Sequence, residues 1–192
     1  GIKKLAIARE YFEVPYNINY QDEENGIEMV AMPLDDFRAT VMIDYNSPVL
    51  GSQHASITNI AEFKDEIANC RTFCFLHELE MLLENDLIKG GDLNNAIVVV
   101  DKAVDEEELA HLAKIFNKPK VEVQKEGILN NLELRFQNEP ARHKLLDLIG
   151  DLALIGTPLK TQIMAARPGH AANVEFGKKI KRIIEKVKKE ER

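Results

Sequence analysis

The chain has 192 residues, 45% of them hydrophobic, enough for one large domain or two small ones with a sizeable core. Its formal net charge of −7 argues against general nucleic-acid binding, which needs a basic surface against phosphate. No apolar run reaches the ~20 residues of a membrane span and no signal peptide opens the chain, so a cytoplasmic protein is expected.

Gly1 stands where a native start would have methionine, which suggests a piece of something longer. Residues 11–45 read as an antiparallel meander. Tyr16, Ile18 and Tyr20 alternate with polar residues, and Asn25-Gly26 is a favoured hairpin turn because both tolerate positive φ. Ile27 to Met32 forms a second strand and Pro33 to Asp36 a turn. Phe37, Ala39, Val41, Ile43 and Tyr45 then line one face of a third strand. Residues 47–58 read as an irregular link. Asn59 and Glu62 resemble a capping box opening a helix to about Asn69, with a second helix from about Phe73 to Asn85 that Gly90-Gly91 ends. Cys70 and Cys74 are four residues apart. They can ligate a metal, but they read as small core residues in a reducing compartment, not as a disulfide framework.

Asn95 to Val100 reads as a buried strand. Residues 102–125 look like a small insert, an acidic amphipathic helix from Asp105 through Phe116 and a short strand at Val121 and Val123. A strand follows through Leu132, Leu134 and Phe136. Glu139 to Ile155 is then a helix with Pro140 in its first turn, where the missing N–H costs little. Lys160 to Arg167 is a strand, Pro168-Gly169-His170 a turn, and Asn173 to Lys188 a helix with a basic, solvated end. Strands in a run before helices favour an α+β fold, a two-layer sandwich of a mixed sheet packed against helices.

The chemistry concentrates on the helix from Glu139. His143, Asp147 and Asp151 recur at i, i+4 and i+8 and share a face, while Leu145, Leu146, Ile149 and Leu152 supply the other. A His and an Asp one turn apart can grip one metal ion. A catalytic zinc usually has three protein ligands, and within the chain a third could come from His54, His77, His111 or His170. His170 follows a glycine that lets the turn approach a site closely, and it can serve as a ligand or as a general acid oriented by Asp151. Lys144 can meet a phosphate at the rim or be an ordinary surface lysine. Thr72 can cap a helix or donate to an oxyanion.

Four motifs appear in order: Arg71-Thr72-Phe73-Cys74-Phe75; Ile88-Lys89-Gly90-Gly91 leading to Ala96-Ile97-Val98; Arg142-His143-Lys144 leading to Asp147 and Asp151; and Pro168-Gly169-His170-Ala171-Ala172-Asn173. Together they resemble the zinc-dependent UDP-3-O-acyl-N-acetylglucosamine deacetylase family of lipid A biosynthesis, over about Glu10 to Ile180. The insert at 102–125 resembles the form in which a 3-hydroxyacyl-carrier-protein dehydratase is fused behind the deacetylase. The family has two similar α+β domains facing each other across the active site. The whole chain, 1–192, resembles the second alone, with the first domain and any dehydratase absent.

The resemblance implies roles residue by residue. His143 and Asp147 match zinc ligands, His170 the histidine that assists the leaving amine, Asp151 its orienting carboxylate, and Thr72 the hydroxyl at the oxyanion. Lys144 and Phe73 match residues on the substrate's polar head, and Phe75, Leu79, Gly91, Ala96 and Val98 the passage for the acyl chain. Asp92 and Pro168 depart from the family pattern, which leaves chain-length preference open. The third ligand and the general base would come from a Glu-His pair in the missing first domain, so this chain alone is expected to be inactive. The implied reaction is hydrolysis of the N-acetyl group, with release of acetate. The alternative is a non-catalytic acyl-lipid or partner-binding domain; a metal-independent hydrolase built on His170 and Asp151 is a third possibility.

Overall fold

A computed structural model describes residues 10–84, 96–124, 127–129 and 133–190. Its frame is a mixed six-stranded sheet built on β8, Leu159–Ala166. The hairpin β2 (Ile18–Asp22) and β3 (Ile27–Pro33) pairs antiparallel to one edge of β8, and β4 (Phe37–Asp44) runs parallel along the other. β5 (Ser52–Ile57) closes that side, antiparallel to β4, while the two-residue β1 (Phe12–Glu13) pairs with the start of β8.

The meander expected over 11–45 is therefore interrupted. Thr161 of β8 is the register partner of both Pro33 and Phe37, so β8 occupies the mouth of what reads as a hairpin. Its hydroxyl donates to the Met32 carbonyl at 2.7 Å and its N–H to the Asp36 carbonyl at 2.7 Å, satisfying both flanks of the turn. At the Asn25-Gly26 turn only Gly26 takes positive φ (62°), and the Asp22 carboxylate holds Asn25 through its N–H and side-chain amide. β5 falls in the segment read as an irregular link. Its outward Ser52, His54 and Ser56 are polar, and only Ala55 and Ile57 turn inward, too short a pattern to stand out.

One sheet face is apolar by strict alternation: Met29 and Ala31, Ala39, Val41 and Ile43, then Ile163 and Ala165. Against it lie α4 (Glu139–Ala153) and α5 (His170–Glu190). Leu145, Leu148 and Leu152 of α4 interlock with Phe176, Ile180 and Ile184 of α5. Leu146 and Ile149 only flank this core, and Leu148 takes the central place that the sequence reading gave them. Each such side chain contributes ~1.5–3 kcal/mol on burial, against a few tenths for a propensity difference, so packing sets these helices. The result is the expected two-layer α+β sandwich. α5 begins at His170, three residues before the expected start.

A smaller layer stands beside it. β6 (Thr72–Phe75) and β7 (Ala96–Val99) pair in parallel, with α2 (Leu76–Glu84) between them in the chain. Thr72 to Phe75 thus belong to a strand, not to the helix expected from Phe73; the helix starts where the Glu78 carboxylate accepts the Phe75 N–H at 2.9 Å. The helix expected from Asn59 is shorter, a 3-10 turn (Ile60–Glu62) running into α1 (Phe63–Glu66). Asn59 caps Ala61, and Glu62 reaches back to Thr58 instead of Asn59. The insert forms α3 (Glu106–Ile115), capped by Asp105, and its Leu112 and Ala113 close over Leu76, Leu79 and Val98. Val123 makes only an isolated bridge to Leu129, and Leu134 and Phe136 lie outside any strand. Gly90, Gly91 and Leu132 lie outside the described residues. Among the described residues no helix is long and apolar enough to cross a membrane.

Replacing Thr161 with valine keeps the shape but removes the hydroxyl's hydrogen bond to the Met32 carbonyl. Urea denaturation should show a loss of roughly 0.5–1.5 kcal/mol; unchanged stability would mean that the hydroxyl does not hold the two flanks together.

Candidate active site

α4 lays its polar row along the junction of the two layers. His143 and Asp147 point into a compact cluster with the first turn of α5. His143 Nε2 stands 3.4 Å from Asp147 Oδ1, while Asp147 Oδ2 lies 3.3 Å from Lys144 Nζ and 3.8 Å from His170 Nε2. Asp147 is only 9% exposed, so its charge faces these partners instead of water. Lys144 does not point away around the helix. Its ammonium turns back to Asp147 and lies 5.8 Å from the Phe73 ring centroid, within cation–π reach.

The ring of His143 is set from behind. Its Nδ1 is 3.3 Å from the Cys70 carbonyl oxygen, which can only accept, so Nδ1 carries the proton and a neutral ring keeps its lone pair on Nε2. Nε2 and Asp147 Oδ1 are then two acceptors facing each other. Two ligands of a tetrahedral ion bound at ~2.0–2.1 Å lie ~3.3–3.4 Å apart, so the pair has the bite of a metal site. Among the described residues no group of three or more His, Cys, Asp or Glu side chains is arranged to hold a metal. His143 and Asp147 thus offer two donors, where a catalytic zinc usually has three protein ligands.

The chain reaches His170 through Arg167, which takes a positive φ of 52° at the end of β8. A Cβ placed on Gly169 would meet nothing within 4 Å, so within this chain the glycine is not required for a close approach. His170 Nδ1 donates to Asp151 Oδ2 at 2.8 Å, and Asn173 Nδ2 donates to the same oxygen at 2.9 Å. Asn173 is fully buried and its Oδ1 has no hydrogen-bond partner. It was not singled out from the sequence as a site residue; the signal was a buried amide one turn after His170, beside Ala172 and Phe176. His170 itself is 68% exposed at the edge of an open cleft of about 710 Å³, which Tyr45, Lys144 and Arg167 also line.

Tyr45 is another residue the sequence reading left as a strand position. It packs edge-on against Phe73 and Phe75, with centroids 5.5 and 5.7 Å apart. Burial pushes its hydroxyl above the usual tyrosine value, helped by the charges of Glu78 and Asp147. Thr72 lies at the exposed start of β6 and caps no helix. The residues matched to an acyl passage divide between the faces of the β6–β7 pair. Phe75 packs with Leu50, Ile97 and Val99, whereas Leu79 and Val98 pack with α3. Ala96 sits half-buried at the head of β7, and Gly91 is outside the described residues. His54 is exposed on the outer sheet face, His111 is exposed on α3, and His77 stacks on Phe75; none approaches the cluster.

Behind His143 a buried ion pair joins the layers. Glu139, the first residue of α4, is fully buried and accepts from Arg71 N, Nε and Nη2, each at 2.9 Å, and from Arg135 N at 2.7 Å. Burial pushes its carboxyl up, but these hydrogen bonds outweigh that and hold it below the usual glutamate range. Both thiols are pushed up to about 11. Burial leads in each case, with the charge of Glu139 next for Cys70 and of Glu78 for Cys74.

A family model described as LpxC, UDP-3-O-acyl N-acetylglycosamine deacetylase, matches residues 1–114 and 116–182. The chain belongs to this family. It is 50% identical over 191 residues to a bifunctional LpxC/FabZ enzyme of Chlorobaculum tepidum, covering 98% of this chain and 41% of that protein. A bifunctional LpxC/FabZ enzyme of Bacteroides thetaiotaomicron is 39% identical over 184 residues, 96% of this chain and 40% of the relative. The UDP-3-O-acyl-N-acetylglucosamine deacetylase of Chlamydia pneumoniae is 36% identical over 184 residues, 95% of this chain and 55% of its own. The chain thus spans about two fifths to just over half of these relatives.

Because the folded Glu139 carboxyl ionises below the ordinary value of about 4.5, its stabilisation is present in full above that value and is lost as pH falls through the folded one. Denaturant titrations of wild type and Glu139→Gln should differ by a constant amount from about pH 7 to 5.5 and converge below; a gap that persists unchanged to pH 3 would contradict this. At pH 7.5 both raised thiols should resist alkylation by iodoacetamide until the chain is unfolded, and fast modification of the folded chain would count against their burial.

Proposed function

We propose that this chain is the second half of a zinc-dependent deacetylase that hydrolyses the N-acetyl group of a UDP-3-O-(3-hydroxyacyl)-N-acetylglucosamine in lipid A biosynthesis, a cytoplasmic reaction. The observation that carries the reading is the convergence of His143, Asp147, His170 and Asp151, with His170 at the edge of the cleft and the Cys70 carbonyl on the His143 Nδ1 side. His143 Nε2 and the Asp147 carboxylate would hold the ion. A first domain would contribute the third ligand and the general base through a Glu-His pair, so this chain alone would be inactive. What zinc supplies when bound is Lewis acidity toward the acetamide carbonyl and water.

The chain's own residues would take part in the two bond changes. As water adds to the carbonyl carbon and gives its proton to the general base of the first domain, the Thr72 hydroxyl would donate to the developing oxyanion. The C–N bond then breaks and the glucosamine nitrogen takes a proton. His170 would give it, its ring oriented by the Asp151 carboxylate that accepts from Nδ1–H at 2.8 Å. Asn173 braces Asp151 from the buried side. Lys144 over Phe73 would meet the polar head of the substrate, and Phe75 would border the acyl chain, whereas Leu79 and Val98 are buried against α3 on the other face of the β6–β7 pair and would back that layer.

His143→Ala and Asp147→Ala, each made in a protein spanning the full length of the relatives, should abolish tight zinc binding and acetate release. Asp151→Asn should keep the metal and lower kcat by roughly 10²–10⁴. Turnover that survives both ligand substitutions, or that ignores chelators, would sink the reading.

A further inference from the structure

The row on α4 that carries His143, Asp147 and Asp151 extends one turn further toward its start, to Glu139, which does not line the cleft and whose carboxylate is taken up by Arg71 and the Arg135 N–H instead of by the three. Both of its carboxylate oxygens are occupied, Oε1 by Arg71 N and Nε and Oε2 by Arg71 Nη2 and Arg135 N. Arg71 Nη2 also donates to the Glu133 carbonyl at 2.6 Å. Around it, the Arg135 guanidinium donates to the Asn69 carbonyl, and Arg142 Nη1 donates to the carbonyl and carboxylate of Glu66 at 2.8 and 2.7 Å. Residues on both sides of Cys70 are thus tied to the start of α4, and the carbonyl between them is the one that meets His143 Nδ1.

We propose that Glu139 is a positioning residue for the metal-dependent reaction: gripping Arg71, it fixes the chain around Cys70 against α4, so that the Cys70 carbonyl sets the His143 ring with Nε2 free. The proposal rests on the reading of His143 as a metal ligand. A carboxylate is suited to the task because it accepts from a backbone N–H and a side-chain fork of the same residue at once, which fixes position and direction together. A purely structural ion pair would need no more than the arginine side chain. Here the Arg71 and Arg135 backbone N–H groups are bound as well, and it is backbone placement that aims a carbonyl.

The test uses Glu139→Gln and Arg71→Lys in a protein spanning the full length of the relatives, with zinc affinity by chelator competition, kcat and KM, 15N shifts of the His143 ring in the metal-free protein, and the melting temperature. Glutamine keeps the shape but loses half the acceptor capacity; lysine keeps the charge but loses the fork, and covers the case in which the glutamine variant fails to fold. The expected result is a zinc affinity about 10–100-fold weaker, a lower kcat with KM within about twofold, and loss of the Nδ1–H signature of His143. A lower melting temperature alone, with zinc affinity, kcat and ring shifts as in wild type, would reduce the pair to a structural one and overturn the proposal. His143→Ala separates the two levels. Unchanged zinc affinity in that variant overturns the metal reading and this proposal with it, whereas loss of zinc there with wild-type affinity in Glu139→Gln and Arg71→Lys overturns the positioning role only.

Discussion

The structure depends on a carboxylate that no water reaches. Moving an isolated charge out of water costs several kcal/mol even after relaxation, so Glu139 is tolerable only because four donors surround it. The compensation is cooperative: removing one partner of such a pair typically costs ~3–5 kcal/mol, because the other charge stays buried. That stiffness lies between the six-stranded sandwich and the smaller β6–β7 layer, where a few polar contacts locate one body against the other. The apolar clusters on either side are separate, so hydrophobic packing alone leaves this junction loosely specified.

The polar cluster at the cleft follows from that junction. α4 brings two carboxylates and an imidazole in helical register, α5 brings His170 and Asn173 at its first turn, and β6 brings Thr72 and the Phe73 ring. Asp151 is shared by His170 and Asn173 through one oxygen, which fixes the imidazole from its Nδ1 side, just as the Cys70 carbonyl fixes His143. Two histidines with opposite proposed duties, ligand and proton donor, are thus each oriented through Nδ1 by an acceptor, leaving Nε2 toward the cleft.

Much of this was legible in the sequence where a periodic pattern met a punctuating residue. α4 has Pro140 in its first turn and a clear apolar face, and its polar row was visible from spacing; in the core Leu148 was missed, while Leu146 and Ile149 were placed too centrally. β4 and β8 follow strict alternation. The insertion of β8 between β3 and β4 was not legible, because pairing partners are chosen by long-range register, and Thr161 has no local feature that reveals its two flanks. Phe73 to Phe75 read as helix because a short apolar run has no distinguishing period, and β5 was missed for its polar outer face. The ordered motifs singled out His143, Asp147, Asp151 and His170, and the structure brings these four side chains together. Asn173, Tyr45 and Glu139 escaped as site residues because their importance lies in contacts across elements, which spacing within one element does not encode.

The central claim is that His143 and Asp147 are two ligands of one shared metal. It is tested most directly by anomalous diffraction at the zinc edge from crystals of a protein spanning the full length of the relatives. The account predicts one peak ~2.0–2.2 Å from both His143 Nε2 and an Asp147 carboxylate oxygen, with His143 Nδ1 still on the Cys70 carbonyl. A peak elsewhere, or one bound through His143 Nδ1, would contradict it.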